Sequence, residues 1–186
     1  MSKKVKCLIY CTKAKPYLTW GNNKRCYPSC ACSNGIQSWH LNGKVVASFE
    51  CEKIEKFDVP YPAYFGEVKD KLNHITDKSC LSLLNLHHYL RLKNGYAIYI
   101  NNLEVFEEPK ELSNYYLFEP NNCILKEIKK APQNMCRVIE HDRLIYSPSE
   151  EYVLISIKPK WVEQILNGEK TIEVRKKILK AMEELI

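Results

Sequence analysis

Apolar positions along this chain fall into short runs of strand-like and helix-like spacing, separated by Gly, Pro and Asn. Residues 5–11, Val-Lys-Cys-Leu-Ile-Tyr-Cys, are rich in strand formers and predict a buried strand ending at the Thr12-Lys13-Ala14-Lys15-Pro16 turn. Residues 20–43 hold Gly21, Asn22, Asn23, Pro28, Ser33, Asn34 and Gly35 and read as a long loop. A second strand is predicted over 43–51, with Val45, Ala47, Phe49 and Cys51 on one face. Pro60-Tyr61-Pro62 marks a connection, and Leu83, Leu86 and Leu90, with His87 and His88, predict a helix over about 80–91. Asn94-Gly95 turns into a strand at 96–100 that is apolar on both faces, as a central strand is. Pro109 is expected to open a short helical turn reaching Leu112, and 135–139 to form another strand.

The last quarter packs a strand, a helix and a second strand compactly. Residues 140–151 are polar and read as a connector, and Val153–Ile157 as a strand. Pro159 stands where a helix tolerates proline and Gly168 where a helix prefers to end, with Trp161, Val162, Ile165 and Leu166 as its apolar face. Thr171, Glu173 and Arg175 then share one face of a following strand. Ile178, Leu179, Met182, Leu185 and Ile186 give a short amphipathic tail helix or a frayed end.

Composition narrows the class. A chain of 186 residues, 45% hydrophobic and 27% charged, has material for one domain with a core and is not a disordered chain. No run of about 18 apolar residues occurs and the N-terminus lacks a signal-peptide pattern, so a cytoplasmic protein without a membrane partner is expected. Nine cysteines at irregular spacing argue for reduced thiols rather than a disulfide framework. The net charge is +6, yet residues 1–25 alone carry seven basic side chains and no acidic one. A second basic cluster, Lys170, Arg175, Lys176, Lys177 and Lys180, lies near the other end. Such clusters are either solvated surface or a phosphate-binding face.

Gly168, Lys170, Glu173 and Arg175 match a G-x-K-x-x-E-x-R signature, and residues 153–175 around them resemble the opening block of ASCH domains, compact barrels of the PUA-like superfamily. The likeness extends to Val5–Cys11, Lys15-Pro16-Tyr17, 43–49, Cys80-Leu81, 95–98 with Phe106 and Pro109, and Ala131-Pro132-Gln133. In that family the signature block comes first; here it comes last. The resemblance therefore implies an α+β, PUA-like mixed β-barrel with a few short helices in circularly permuted order. The expected organisation is a single domain over 1–177 (main body 1–139, connector 140–151, relocated strand–helix–strand 152–177), followed by a tail helix over 178–186. An unpaired edge is aggregation-prone, so the block should insert beside residues 5–11 of its own chain; a truncated tandem or a swapped partner is the alternative.

The resemblance also points to function. It implies a module that binds RNA, a nucleotide or a nucleoside in a basic cleft lined by Lys170, Glu173, Arg175, Lys158, Lys13 and Tyr17, as a monomer or weak homodimer and without a cofactor. Arg175 offers a planar fork for phosphate or carboxylate. Trp20, Tyr17, Tyr27, Trp39, Tyr61 and Tyr64 fall in loops and could stack unpaired bases, or pack those loops; Tyr10, Phe49, Tyr96 and Tyr99 are expected in the core. The second reading is a small amidohydrolase acting on N-acetylated cytidine or related nucleosides, with Lys170 and Thr171 as catalysts. The related enzymes place a nucleophilic Thr where this chain has Glu173, and a carboxylate where it has Asp77, Lys78 and Ser79. Cys26, Cys30, Cys32 and His40 supply zinc-ligand chemistry, but their spacing is not that of a zinc ribbon or finger, and free thiols are expected.

Overall fold

The computed structural model describes residues 4–13, 18–20, 24–26, 41, 43–119, 124–140 and 151–186. Its chain divides into two compact units: unit 1 comprises Met1–Lys6, Phe49–Leu103 and Ile165–Ile186, and unit 2 comprises Cys7–Ser48 and Glu104–Gln164.

The architecture is mixed α+β. Seven strands form one mixed sheet: β1 (Val5–Cys11), β4 (Lys44–Cys51), β7 (Asn101–Glu111), β8 (Tyr115–Glu119), β9 (Ile124–Glu127), β10 (Met135–Glu140) and β11 (Tyr152–Ile157), in the order β7-β4-β1-β11-β10-β8-β9. β11 lies at its centre, parallel to β1 (Cys7↔Val153 to Cys11↔Ile157) and antiparallel to β10 (Met135↔Ile155). The opening strand of the C-terminal block thus pairs with the N-terminal strand of its own chain. All six β11 residues are buried, as expected for a strand covered on both faces. Leu8, Tyr10, Val45, Tyr115, Val138, Tyr152 and Leu154 form the core of unit 2.

Unit 1 holds the three-stranded antiparallel sheet β12-β6-β5, built from β5 (Ile54–Phe57), β6 (Gly95–Tyr99) and β12 (Ile172–Arg175). It also holds helices α1 (Phe65–Ser79) and α2 (Leu83–Leu90). Phe57, Leu72, Ile75, Leu86, Leu90, Ala97, Ile172 and Val174 make one apolar cluster there, which ties both helices to the sheet. Ser82 caps α2 by accepting the N–H of Asn85 at 3.2 Å. A 3-10 helix over Lys180–Leu185 buries Met182 and Leu185 and packs on β5, so the tail is ordered. Helix α3 (Pro159–Leu166) begins at Pro159, and Gly168 follows it with φ +76, as the sequence predicts.

Three expectations need correction, and one helix was not expected. The described strands do not close into a barrel: β7 and β9 end an open sheet, and β12, β6 and β5 pair with one another. β7 suits an edge, because Pro109 has no N–H to donate and Glu104, Glu107, Glu108, Lys110 and Glu111 discourage pairing. For the same reason Pro109 lies inside a strand and opens no helix; the 3-10 turn is Leu112–Asn114. Helix α1 goes unread in the sequence, although Val68, Leu72 and Ile75 carry its period, because the helix breakers at Pro60 and Pro62 draw attention to a connection. Residues 20–43 are not all loop: β2 (Leu18–Trp20) and β3 (Lys24–Cys26) form an antiparallel hairpin. Among the described residues no helix is long and apolar enough to cross a membrane.

Candidate functional site

Three signature residues meet in unit 1, at the C-terminal end of α1. The last carbonyls of a helix lack intrahelical donors, and here the chain entering β12 supplies them. Thr171 donates its backbone N–H to the Lys78 carbonyl at 2.9 Å, and the Lys170 ammonium donates to the Ser79 carbonyl at 2.8 Å. Cys80, with φ 57, turns the chain out of the helix and approaches the Glu169 carbonyl through its thiol at 3.5 Å. Lys170 also donates to the Ile172 carbonyl at 2.8 Å and lies 3.3 Å from Oε2 of Glu173, whose Oε1 is 2.9 Å from Nε of Arg175.

This chain of charges is buried: Lys170 is 2% exposed, Glu173 7% and Arg175 8%. An ammonium has three protons, and Lys170 faces three acceptors with them. Burial pulls its pKa below the ordinary lysine value, against the pull of Glu173 that holds the charge on. The cation also sits where the α1 dipole is negative. Thr171 is exposed, and its carbonyl accepts from the Ile100 N–H at 3.0 Å.

Tyr89 of α2, 40% exposed and singled out by no sequence motif, stands near this cluster. It lies within electrostatic reach of Arg175 and Glu173, burial raises its pKa, and the Lys176 ammonium stands 4.9 Å from its ring centroid. Of the other basic residues, Lys4 is held by Glu50 at 2.7 Å, so part of the N-terminal charge is neutralised locally.

Unit 2 contains a separate basic cleft of about 440 Å³. Lys13, which follows β1, and Lys129 and Lys130, which follow β9, line it with the hydroxyl residues Thr12 and Ser113. Ile128, Leu112 and Ala131 add apolar lining. The carboxylate in the lining, Glu111, is engaged by Lys44, and among the described residues none of the three cleft lysines forms an ion pair. Gly43 makes room for Lys13: a Cβ at Gly43 would lie 2.8 Å from Cε of that lysine, and the glycine has φ +77.

Of the expected cleft residues, then, Lys170, Glu173 and Arg175 come together in unit 1, while Lys13 lines the unit 2 cleft. Lys158 is an exposed unit 2 residue whose carbonyl accepts the N–H groups of Trp161 and Val162 as α3 begins. Tyr17, Tyr27, Cys30, Cys32, Trp39 and His40 lie outside the described residues, as do the side chains of Trp20 and Cys26. Lys129 and Lys130 were legible as a dibasic pair beside Ala131-Pro132-Gln133, but adjacency in sequence gave no reason to join them to Lys13.

Other titratable groups have structural roles. Glu55 of β5 accepts from Tyr99 of β6 at 2.8 Å and meets His74 of α1 at 3.0 Å, linking three elements. Burial acts to raise the Glu55 pKa, but the His74 and Tyr99 hydrogen bonds outweigh it and hold it below the ordinary carboxylate value. Burial and the bond to Glu55 push the Tyr99 hydroxyl up to about 12. Cys7, Cys11, Cys51, Cys80 and Cys136 are free thiols, and burial raises Cys11 to about 12 and Cys51 and Cys136 to about 11, well away from the thiolate form. No metal-binding group of three or more His, Cys, Asp or Glu occurs among the described residues. Tyr61 and Tyr64 stand 59% and 55% exposed, Tyr10 and Phe49 are buried, and Tyr96 and Tyr99 are half-buried. Compared with known proteins, the chain matches no family model, no curated protein and no solved structure.

Proposed function

We propose that this chain is an ASCH-like module that binds RNA or a nucleotide-like ligand, and that the unit 2 cleft is where the ligand's phosphates are held. One observation carries the reading: Lys13, Lys129 and Lys130 line a single cleft, no described carboxylate pairs with them, and the described carboxylate in the lining, Glu111, is already engaged by Lys44. Exposed ammonium groups without partners keep their attraction for phosphate, whereas a buried, fully bonded ammonium such as Lys170 has spent its donors within the fold.

The reading is tested by titrating a labelled single-stranded RNA with the wild type and with the triple variant Lys13→Ala, Lys129→Ala, Lys130→Ala. Loss of about tenfold or more in affinity is expected, each phosphate contact being worth a fraction of a kcal/mol to about one. Unchanged affinity would remove the cleft from the account.

The amidohydrolase reading rests on the adjacency of the buried Lys170 and the exposed Thr171, burial shifting the lysine pKa downward, the direction a general base needs. Incubation with N-acetylated cytidine decides it. Turnover that disappears in Thr171→Ala, a change at an exposed position, would establish hydrolysis; no turnover by the wild type removes it.

A further inference from the structure

The unit 2 cleft also says which part of a ligand it can read. Building on the ligand-binding reading above, we infer that it recognises an oligophosphate chain, as in a nucleoside triphosphate or a 5′-triphosphorylated RNA end, and is nearly blind to the base.

The charge balance points to more than one phosphate. A phosphate monoester carries about −1.5 to −2 at neutral pH, so a single one leaves three ammonium groups only partly neutralised. Glu111 does not offset them, because Lys44 engages it. Two or three linked phosphates match three lysines, with the hydroxyls of Thr12 and Ser113 able to donate to the bridging and terminal oxygens.

The lining argues against reading a base. Base recognition needs an open ring face for stacking or buried amide and carboxylate groups for edge contacts. Among the described residues the aromatic one in the lining is Tyr10, which is 3% exposed and belongs to the core, so its ring face is not open to a ligand. Among the described residues no Asn, Gln or Asp lines the cleft, and the described Glu in its lining is engaged by Lys44. Lysines are point charges on flexible stems, which neutralise phosphate without fixing the geometry of what is attached to it. The cleft volume, about 440 Å³, lies in the range of small-ligand sites.

Calorimetric titration at low salt tests this with inorganic tripolyphosphate, ATP, UTP, CMP and cytidine, and with one short RNA carrying either a 5′-triphosphate or a 5′-hydroxyl. Tripolyphosphate, ATP and UTP are expected within about threefold of one another and about tenfold or more tighter than CMP, with cytidine not binding. The triple lysine variant should lose tripolyphosphate binding while keeping the wild-type melting temperature. Tighter binding of the 5′-triphosphate RNA than of ATP identifies the RNA end as the source of the phosphates; equal binding identifies the free nucleotide. CMP binding as tightly as ATP, or ATP and UTP differing by more than about tenfold, overturns the inference. RNA binding that ignores the 5′-triphosphate also overturns it and leaves the broader RNA reading standing, whereas binding of no probe removes both.

Discussion

An ammonium group has three protons to place, and at Lys170 two go to backbone carbonyls while the third faces Glu173. Removing that side chain leaves the Ser79 and Ile172 carbonyls without their donor and Glu173 with only Arg175 to offset its charge. Lys170→Met is therefore expected to cost about 3–5 kcal/mol, the range for breaking a buried ion pair from one side, as read by urea denaturation. A loss below about 1 kcal/mol would mean that the ammonium is not holding α1 to the β12 turn. Gly43 carries a different constraint. With φ +77 and Lys13 directly above it, Gly43→Ala is expected to destabilise the fold by about 1–2 kcal/mol, measured the same way. It should also weaken tripolyphosphate binding, because the new methyl displaces the Lys13 stem.

At the scale of elements, strands with strong apolar patterns were legible and their company was not. β1, β4, β6, β10 and β11 follow from residues such as Leu8, Val45, Ile98, Val138 and Leu154, whose burial matches the pattern. β5, β8 and β9 are short and mix charge with apolar residues, so period alone does not mark them. The meeting of Lys170, Glu173 and Arg175 was legible because they lie within six residues; Tyr89 was not, because it reaches them through the packing of α2. The link from α1 through His74 to Glu55 and Tyr99 makes a pH prediction. The folded Glu55 pKa lies below its ordinary 4.5, so the unfolded chain takes up the proton first. The stability Glu55 confers is complete above about 4.5 and is lost as pH falls through the folded value. Glu55→Gln should be less stable than the wild type at neutral pH, and the gap should narrow below pH 4.5 in melting curves taken across that range. A gap independent of pH would show that the carboxylate charge is not what joins α1 to β5 and β6.

For the whole molecule, the chain total of +6 says less than where uncompensated charge lies. Lys4 is held by Glu50 and Lys170 by its own network, whereas Lys13, Lys129 and Lys130 line a cleft without a described ion-pair partner. The most direct measurement follows the affinity for a single-stranded RNA between 50 and 200 mM salt. Three neutralised phosphates predict a log–log slope of about −2, a loss of about 20-fold across that range. In the Lys13→Ala, Lys129→Ala, Lys130→Ala variant both the affinity and the slope should collapse. A variant that binds with wild-type affinity and slope would contradict the placement of the ligand site in the unit 2 cleft.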